Sequence, residues 1–191
     1  MTRQERYFDL VGNSHGSSRV GGGMPVDLIV DPEASQGRHF LLTLSHLDFS
    51  ELGDLDLSLL LDRDFASFSE ETVYPDIGID CILHPPCAEE DADQRGRMAE
   101  LSRGYLIKQA SASETWFIKF GGTPALIQEE DYHQRALLDA GFEFLFQIDE
   151  NGYPDGFLSG NYPFGYGALY IYAKFDKTEK IVKVVAGFAQ F

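Results

Sequence analysis

The chain has 191 residues, of which 43% are hydrophobic and 24% charged, the composition of a folded body rather than of a disordered chain. Its formal charge is −16, from 31 acidic and 15 basic residues, which opposes nucleic acid and anionic lipid and favours basic partners. No apolar run is long enough to span a bilayer, no apolar core of signal-peptide length follows Met1, and Cys81 and Cys87 are the only cysteines. Together these predict a cytoplasmic protein with no membrane partner.

In chain order, Gly22-Gly23-Met24-Pro25 is a turn signal, because the glycines permit positive φ and the proline cannot donate to a ladder. Apolar strands are expected over 40–47, 57–61 and 77–83. The acidic stretch 89–93 reads as a boundary. Residues 91–103 read as a helix that ends at Gly104, although Gly96 costs it about 1 kcal/mol against Ala. A strand over 115–120 leads into a second turn signal, Gly121-Gly122-Thr123-Pro124. Residues 128–140 read as a helix with Glu129, Glu130 and Asp131 in its first turn and Gly141 past its end. Strands over 142–148, 168–175 and 181–191 follow, the first two joined by a long aromatic, Gly/Pro-rich loop. Strands outnumber helices without a βαβ rhythm, so the fold class is α+β, mainly antiparallel sheet with few short helices.

The chain also repeats itself. The two Gly-Gly-x-Pro signals are followed by Leu44-Ser45-His46-Leu47-Asp48 and Leu145-Phe146-Gln147-Ile148-Asp149 at nearly the same offset, and then by the strands at 57–61 and 168–173. This predicts an internal duplication of a β-rich unit, about 19–88 and 115–191, with an acidic, partly helical connection 89–114, in one domain over 1–191. The alternative is chance similarity between short apolar strands.

Lys119-Phe120-Gly121-Gly122-Thr123-Pro124, 144–149 and 167–172 resemble the YwqG-like bacterial family, itself similar to the C-terminal part of programmed cell death protein 2. Residues 41–52 resemble the family's first leucine-rich strand, with Asp48-Phe49-Ser50-Glu51 as its continuation. The resemblance implies a duplicated, β-rich α+β fold, no assigned catalytic residues, and the binding of proteins or peptides. Its eukaryotic members are implicated in escorting a basic ribosomal protein, and some bacterial members in neutralising toxins. His46 departs from the pattern, standing where the family has Gln.

Four constellations could carry chemistry. Cys81-x-x-His84-x-x-Cys87 offers three metal ligands but no second pair, so a buried cysteine at a strand end is the better reading and no metal or other cofactor is expected. Asp149-x-Asn151 fails as a calcium loop because Tyr153 and Pro154 stand where an oxygen ligand and a glycine are needed; a hairpin turn at Asn151-Gly152 is expected instead. Asp48, Glu51, Asp54, Asp56, Asp62 and Asp64 form either a solvated acidic face or a surface for cationic side chains. The loop that carries Tyr153, Phe157, Tyr162, Phe164 and Tyr166 offers rigid rings on an adaptable backbone, as recognition loops do, or else a lid on the core.

No phosphate-binding loop, dinucleotide fingerprint, nucleophile elbow or His-Glu-x-x-His motif is present. The expected function is therefore non-enzymatic binding of a basic protein or peptide through Tyr153, Phe157, Tyr162, Phe164, Tyr166, Asp54 and Asp56, with toxin neutralisation as its most specific form. The alternatives are a purely structural or oligomerising unit, and a small-ligand-binding protein or enzyme. In the last, the loop caps a pocket between the repeats near His46, Gln147 and Asp149.

Overall fold

A computed structural model describes residues 3–12, 15–29, 35–65, 73–87, 96–110, 115–129 and 132–191. Ten strands form one antiparallel sheet: β1 Arg6–Val11, β2 Arg19–Val20, β3 Arg38–Leu44, β4 Asp56–Asp62, β5 Ile79–His84, β6 Gly104–Lys108, β7 Ile118–Phe120, β8 Glu143–Asp149, β9 Ala168–Phe175 and β10 Ile181–Gln190. Their order is β10-β9-β8-β7-β1-β6-β2-β3-β4-β5. The two outer strands approach one another, and the Tyr74 N–H donates to the Gly187 carbonyl at 2.6 Å, so the sheet coils into a nearly closed barrel. Two short helices, α1 Val26–Ile29 and α2 Tyr132–Asp139, pack on its outside.

The coiling has a local cause in each half. Phe40 pairs with Leu60 and Leu42 with Leu59, so Leu41 is an extra residue in β3. Phe144 pairs with Tyr172 and Phe146 with Ile171, so Leu145 is the extra residue in β8. Such bulges bend a strand and tighten its twist. Each bulged carbonyl is then bound in the same way: Gly21 N–H donates to Leu41 O and Gly121 N–H to Leu145 O, both at 2.8 Å. Gly21, Gly22, Gly121 and Gly122 all have positive φ, which only glycine adopts at low cost. Gly21-Gly22, one residue before the glycine pair of the expected turn signal, and Gly121-Gly122 thus end β2 and β7 and fasten them to the bulges.

Alternation and bulges together sort the side chains. Leu41, Leu42, Leu44, Leu57, Leu59 and Leu61 face the interior with Ile118, Phe120, Phe146, Ile148, Leu169 and Ile171. Phe8 and Leu10 of β1 and Leu106 of β6 complete that core between the two halves. Burying one such side chain contributes roughly 1.5–3 kcal/mol. On the outside, Met24, Leu28 and Ile29 cover Phe40 and Leu60, and Leu137 covers Phe144, Tyr170, Tyr172 and Phe188. Helix α2 stops where Gly141, at φ 80°, donates to Leu138 O while Phe142 N–H reaches Leu137 O, the paired bonds of a left-handed glycine cap.

Four expectations are corrected. The strand foreseen over 40–47 ends at Leu44, because Asp56 accepts the His46 N–H and turns the chain. Gln147 sits two residues past one bulge, and the residue two past the other is Thr43, not His46. Residues 96–103 are not helical: Arg97 bridges Phe40 and Leu101 bridges Leu158, while 91–95 lie outside the described residues. Asn151-Gly152 forms a 3-10 turn over Glu150–Gly152 rather than a hairpin turn, since the Asp149 carboxylate accepts the Asn151 N–H.

A substitution pair separates strain from close approach. Gly37 has φ 73° and open space around its missing Cβ, so Gly37→Ala should cost about 1–2 kcal/mol in urea unfolding. A Cβ at Gly21 would overlap the Ser102 carbonyl oxygen, so Gly21→Ala should cost roughly 1–3 kcal/mol more than Gly37→Ala. Equal midpoints for the two variants would contradict this account.

Candidate functional site

The site is built on the connection between β8 and β9. Its first part, residues 153–159, is stitched to the neighbouring segment: Ser102 N–H donates to Phe157 O at 2.9 Å and Ser159 N–H to Glu100 O at 2.8 Å. Its second part, residues 160–166, is held by one side chain. Glu150 is almost fully buried, and its carboxylate accepts the backbone N–H groups of Phe164 (2.9 Å), Tyr166 (2.8 Å) and Gly167 (3.1 Å). Burial raises its pKa to about 7, outweighing the opposing pull of those three donors, with the Asp149 charge adding to the rise. Tyr166 is thereby fixed at φ 65°, where a tyrosine is unusual.

The rings form a ladder from core to surface. Phe117 meets Tyr153 at 4.9 Å, Tyr153 meets Tyr162 at 6.0 Å, and Tyr162 meets Tyr166 edge to face at 4.8 Å. Phe164 packs edge-on against Phe65 at 6.0 Å. Phe157 and Phe164 are buried, and the Tyr153 hydroxyl is buried without a hydrogen-bond partner, so burial pushes its pKa up. Phe157 and Phe164 belong to the core and cannot meet a partner, which corrects the expectation for them, whereas Tyr153 is half-buried with its hydroxyl inside. Glu150 draws the loop backbone inward and turns Phe164 under it. Tyr166, 57% exposed, and the half-buried Tyr162 remain available.

Beneath these two rings lies a cavity of about 630 Å³, lined by His39, Leu61, Asp62 and Arg63 from β3, β4 and the turn after it, by Phe65 and Met98, and by the loop from Gly160 to Tyr166. It lies between strands of the N-terminal half and a loop of the C-terminal half. A second cavity of about 660 Å³ adjoins it through Asp62, Arg63 and Phe65 and continues past Arg38, Asp64 and Asp76. Both volumes are in the range of small-ligand sites. None of His46, Gln147 and Asp149 lines either cavity. His46 Nδ1 lies 2.8 Å from Asp56 Oδ1, Gln147 exchanges two hydrogen bonds with the Ala125 backbone, and Asp149 caps the turn after β8. Their polar groups are spent on local structure, and the pocket between the halves lies elsewhere.

The acidic run is likewise mostly committed. Asp48 accepts Ser18 N–H and Oγ–H, Glu51 pairs with Arg6 at 2.7 Å, and Asp62 pairs with Arg38. Asp56 is buried against His46, so it presents no charge to a partner, contrary to expectation. Asp54 and Asp64 stay exposed and make no ion pair or side-chain hydrogen bond among the described residues, as does Asp76 beyond the run.

Two further clusters are structural. Cys81 faces the interior and His84 the outside of β5, so they cannot share an ion. Among the described residues no group of three or more His, Cys, Asp or Glu is placed to hold one. His84 Nδ1 can only donate to Pro85 O (2.8 Å), which leaves Nε2 to accept from Ser58 Oγ (2.8 Å), and Ser58 in turn accepts from Thr43 (2.7 Å). The pair has a nucleophile and a base in register, but Ser58 is fully buried and lines neither cavity.

Because its folded pKa is raised, Glu150 contributes stability below about pH 4.5 that is lost as pH rises through about 7. The urea midpoint should therefore fall between pH 5 and 8, and Glu150→Gln should flatten that fall while costing roughly 1–3 kcal/mol throughout from the mismatched N–H donors. An unchanged pH profile in the variant would refute the assignment.

No protein-family model, no curated protein and no solved structure matches the chain.

Proposed function

We propose that this protein is a binding domain whose recognition site is the cavity capped by Tyr162 and Tyr166. The observation that carries the reading is a buried carboxylate holding three backbone donors of the loop, at 164, 166 and 167, so that the rings line a cavity of about 630 Å³ in a set position. A loop ordered in advance loses little conformational freedom on binding, and so retains more of its contact energy as affinity. Neither Tyr166 nor Tyr162 is needed for the core, which is the signature of residues kept for contact rather than packing. Ligand binding to the folded state raises its melting temperature. A thermal-shift screen of metabolites should yield a small set of related hits whose effect Tyr166→Ala diminishes about tenfold or more in affinity. Hits unaffected by that substitution would place the site elsewhere.

A second reading is supported by the charge of −16: the surface engages a basic protein, as toxin-neutralising or escorting proteins do. Exposed, uncommitted Asp54, Asp64 and Asp76 are the carboxylates it would use, and the resemblance to the YwqG-like family favours it. Capture of a basic protein from lysate should weaken from 50 to 300 mM salt and be lost when all three are changed to Lys. Capture indifferent to both would sink this reading. The palindromic strand order and the twin glycine-to-bulge bonds support the inference that the two halves arose by duplication.

A further inference from the structure

The polar groups on the cavity wall differ in what they have left to offer. Asp62 is paired with Arg38, which also pairs with Asp80 at 2.8 Å. Arg63 spends its backbone N–H on Gly37 O (3.0 Å), but its exposed guanidinium makes no ion pair or hydrogen bond among the described residues. His39 Nδ1 is buried and has no hydrogen-bond partner among the described residues, an uncommon state for a buried polar atom and one that a ligand would relieve. Apart from Asn161 and the glycines at 160 and 165, the rest of the wall is apolar or aromatic: Leu61, Phe65, Met98, Pro163, Tyr162 and Tyr166. Met98 is an adaptable surface for a flat ring, and the two tyrosines stand at 89° to one another, offering a face and an edge.

We propose that this cavity binds a small aromatic carboxylate, its ring against Tyr162, Tyr166 and Met98 and its carboxylate on the Arg63 guanidinium with His39 Nδ1 as a further polar contact. The inference rests on the cavity being the recognition site, and adds the ligand's charge and shape. The planar fork of arginine matches a carboxylate in two parallel hydrogen bonds. A cationic side chain would meet an uncompensated guanidinium and is excluded from this cavity, whatever the outer surface attracts. A polyanion would be repelled by the exterior charge of −16, so a single negative group is what the site admits.

The test is isothermal titration of the full chain with benzoate, 4-hydroxyphenylacetate and indole-3-acetate, each beside its amide and its amine counterpart (benzylamine, tyramine, tryptamine), with amide chemical shifts of Gly165 and Tyr166 locating the site. At least one carboxylate should bind about tenfold or more tightly than its amide, and no amine should bind at the cavity. Arg63→Ala should erase the preference for carboxylate over amide without moving the melting temperature, since Arg63 is exposed. Tyr166→Ala should weaken carboxylate and amide alike. Amides or amines that bind as well as the carboxylates, with shifts at Gly165 and Tyr166, would overturn the proposal and leave the cavity as a recognition site. No binding by any of the nine compounds and no shift at Gly165 or Tyr166 would overturn both.

Discussion

A sheet of ten antiparallel strands can enclose one core only if it coils far enough for its two edge strands to meet, and extra residues in β3, β8 and β10 supply that coil. Leu41 and Leu145 each send a second consecutive side chain inward. Their carbonyls accept from Gly21 and Gly121, the next residues in register on the neighbouring strands, so no backbone acceptor is left unbound in the core there. The coil, the turn and the core composition are therefore one constraint. The Gly-Gly pair must be glycine because of φ and close approach, and the bulge must be there because the glycine N–H needs its carbonyl. Interior closure then follows from Phe49 filling the middle, its ring 4.8 Å from Phe8 and 4.7 Å from Phe120.

The loop over the cavity depends on that frame. It leaves at the end of β8 and must return to Ala168, the first residue of β9, whose partner in the sheet is Asp149. A carboxylate placed at 150 is thus beside both ends of the loop, within reach of the backbone at 164–167. A Cβ on Gly167 would overlap the Gln190 carbonyl oxygen, so only glycine lets the loop return this close to β10. The ring ladder from Phe117 to Tyr166 carries the same rigidity from the core to the mouth of the cavity. Function and fold share a device here: the group that satisfies the loop's backbone also sets the rings.

How much of this is written locally in the chain depends on whether a residue's partner is near it in sequence. Strands β4, β5, β8, β9 and β10 are segments rich in apolar residues, and the expected bounds of β9, 168–175, coincide with those found. The glycine cap at 141 is equally local. Strands β1, β2 and β6 give no such signal, because Arg19–Val20 is only two residues long and Gly104–Lys108 becomes a strand through distant partners, Val11 and Val20 among them. The site divides along the same line. Tyr166 reads correctly as a surface ring, whereas Phe164, two residues away, is turned inward by a carboxylate fourteen positions upstream. Asp48 and Asp56 read as charge but act as hydrogen-bond acceptors for Ser18 and His46, which only the fold brings to them. Glu150 itself is one acid among many in the sequence, and only the loop's return makes it the buried one.

The two proposed modes of recognition differ in range rather than in location alone. A charge of −16 acts over a Debye length of about 8–10 Å at physiological salt, and so governs which molecules approach. Inside the cavity the distances are those of direct contact, where one uncommitted guanidinium and a row of rings outweigh a field already screened by the solvent outside. The adjoining cavity begins at Asp62 and Arg63 and runs toward the uncommitted Asp64 and Asp76, so charge changes sign along one continuous depression. A molecule that bridged both cavities would need its negative group at the ring-lined end and a positive group at the other. Asp62, Arg63 and Phe65 line both cavities and so form the boundary between the two ends.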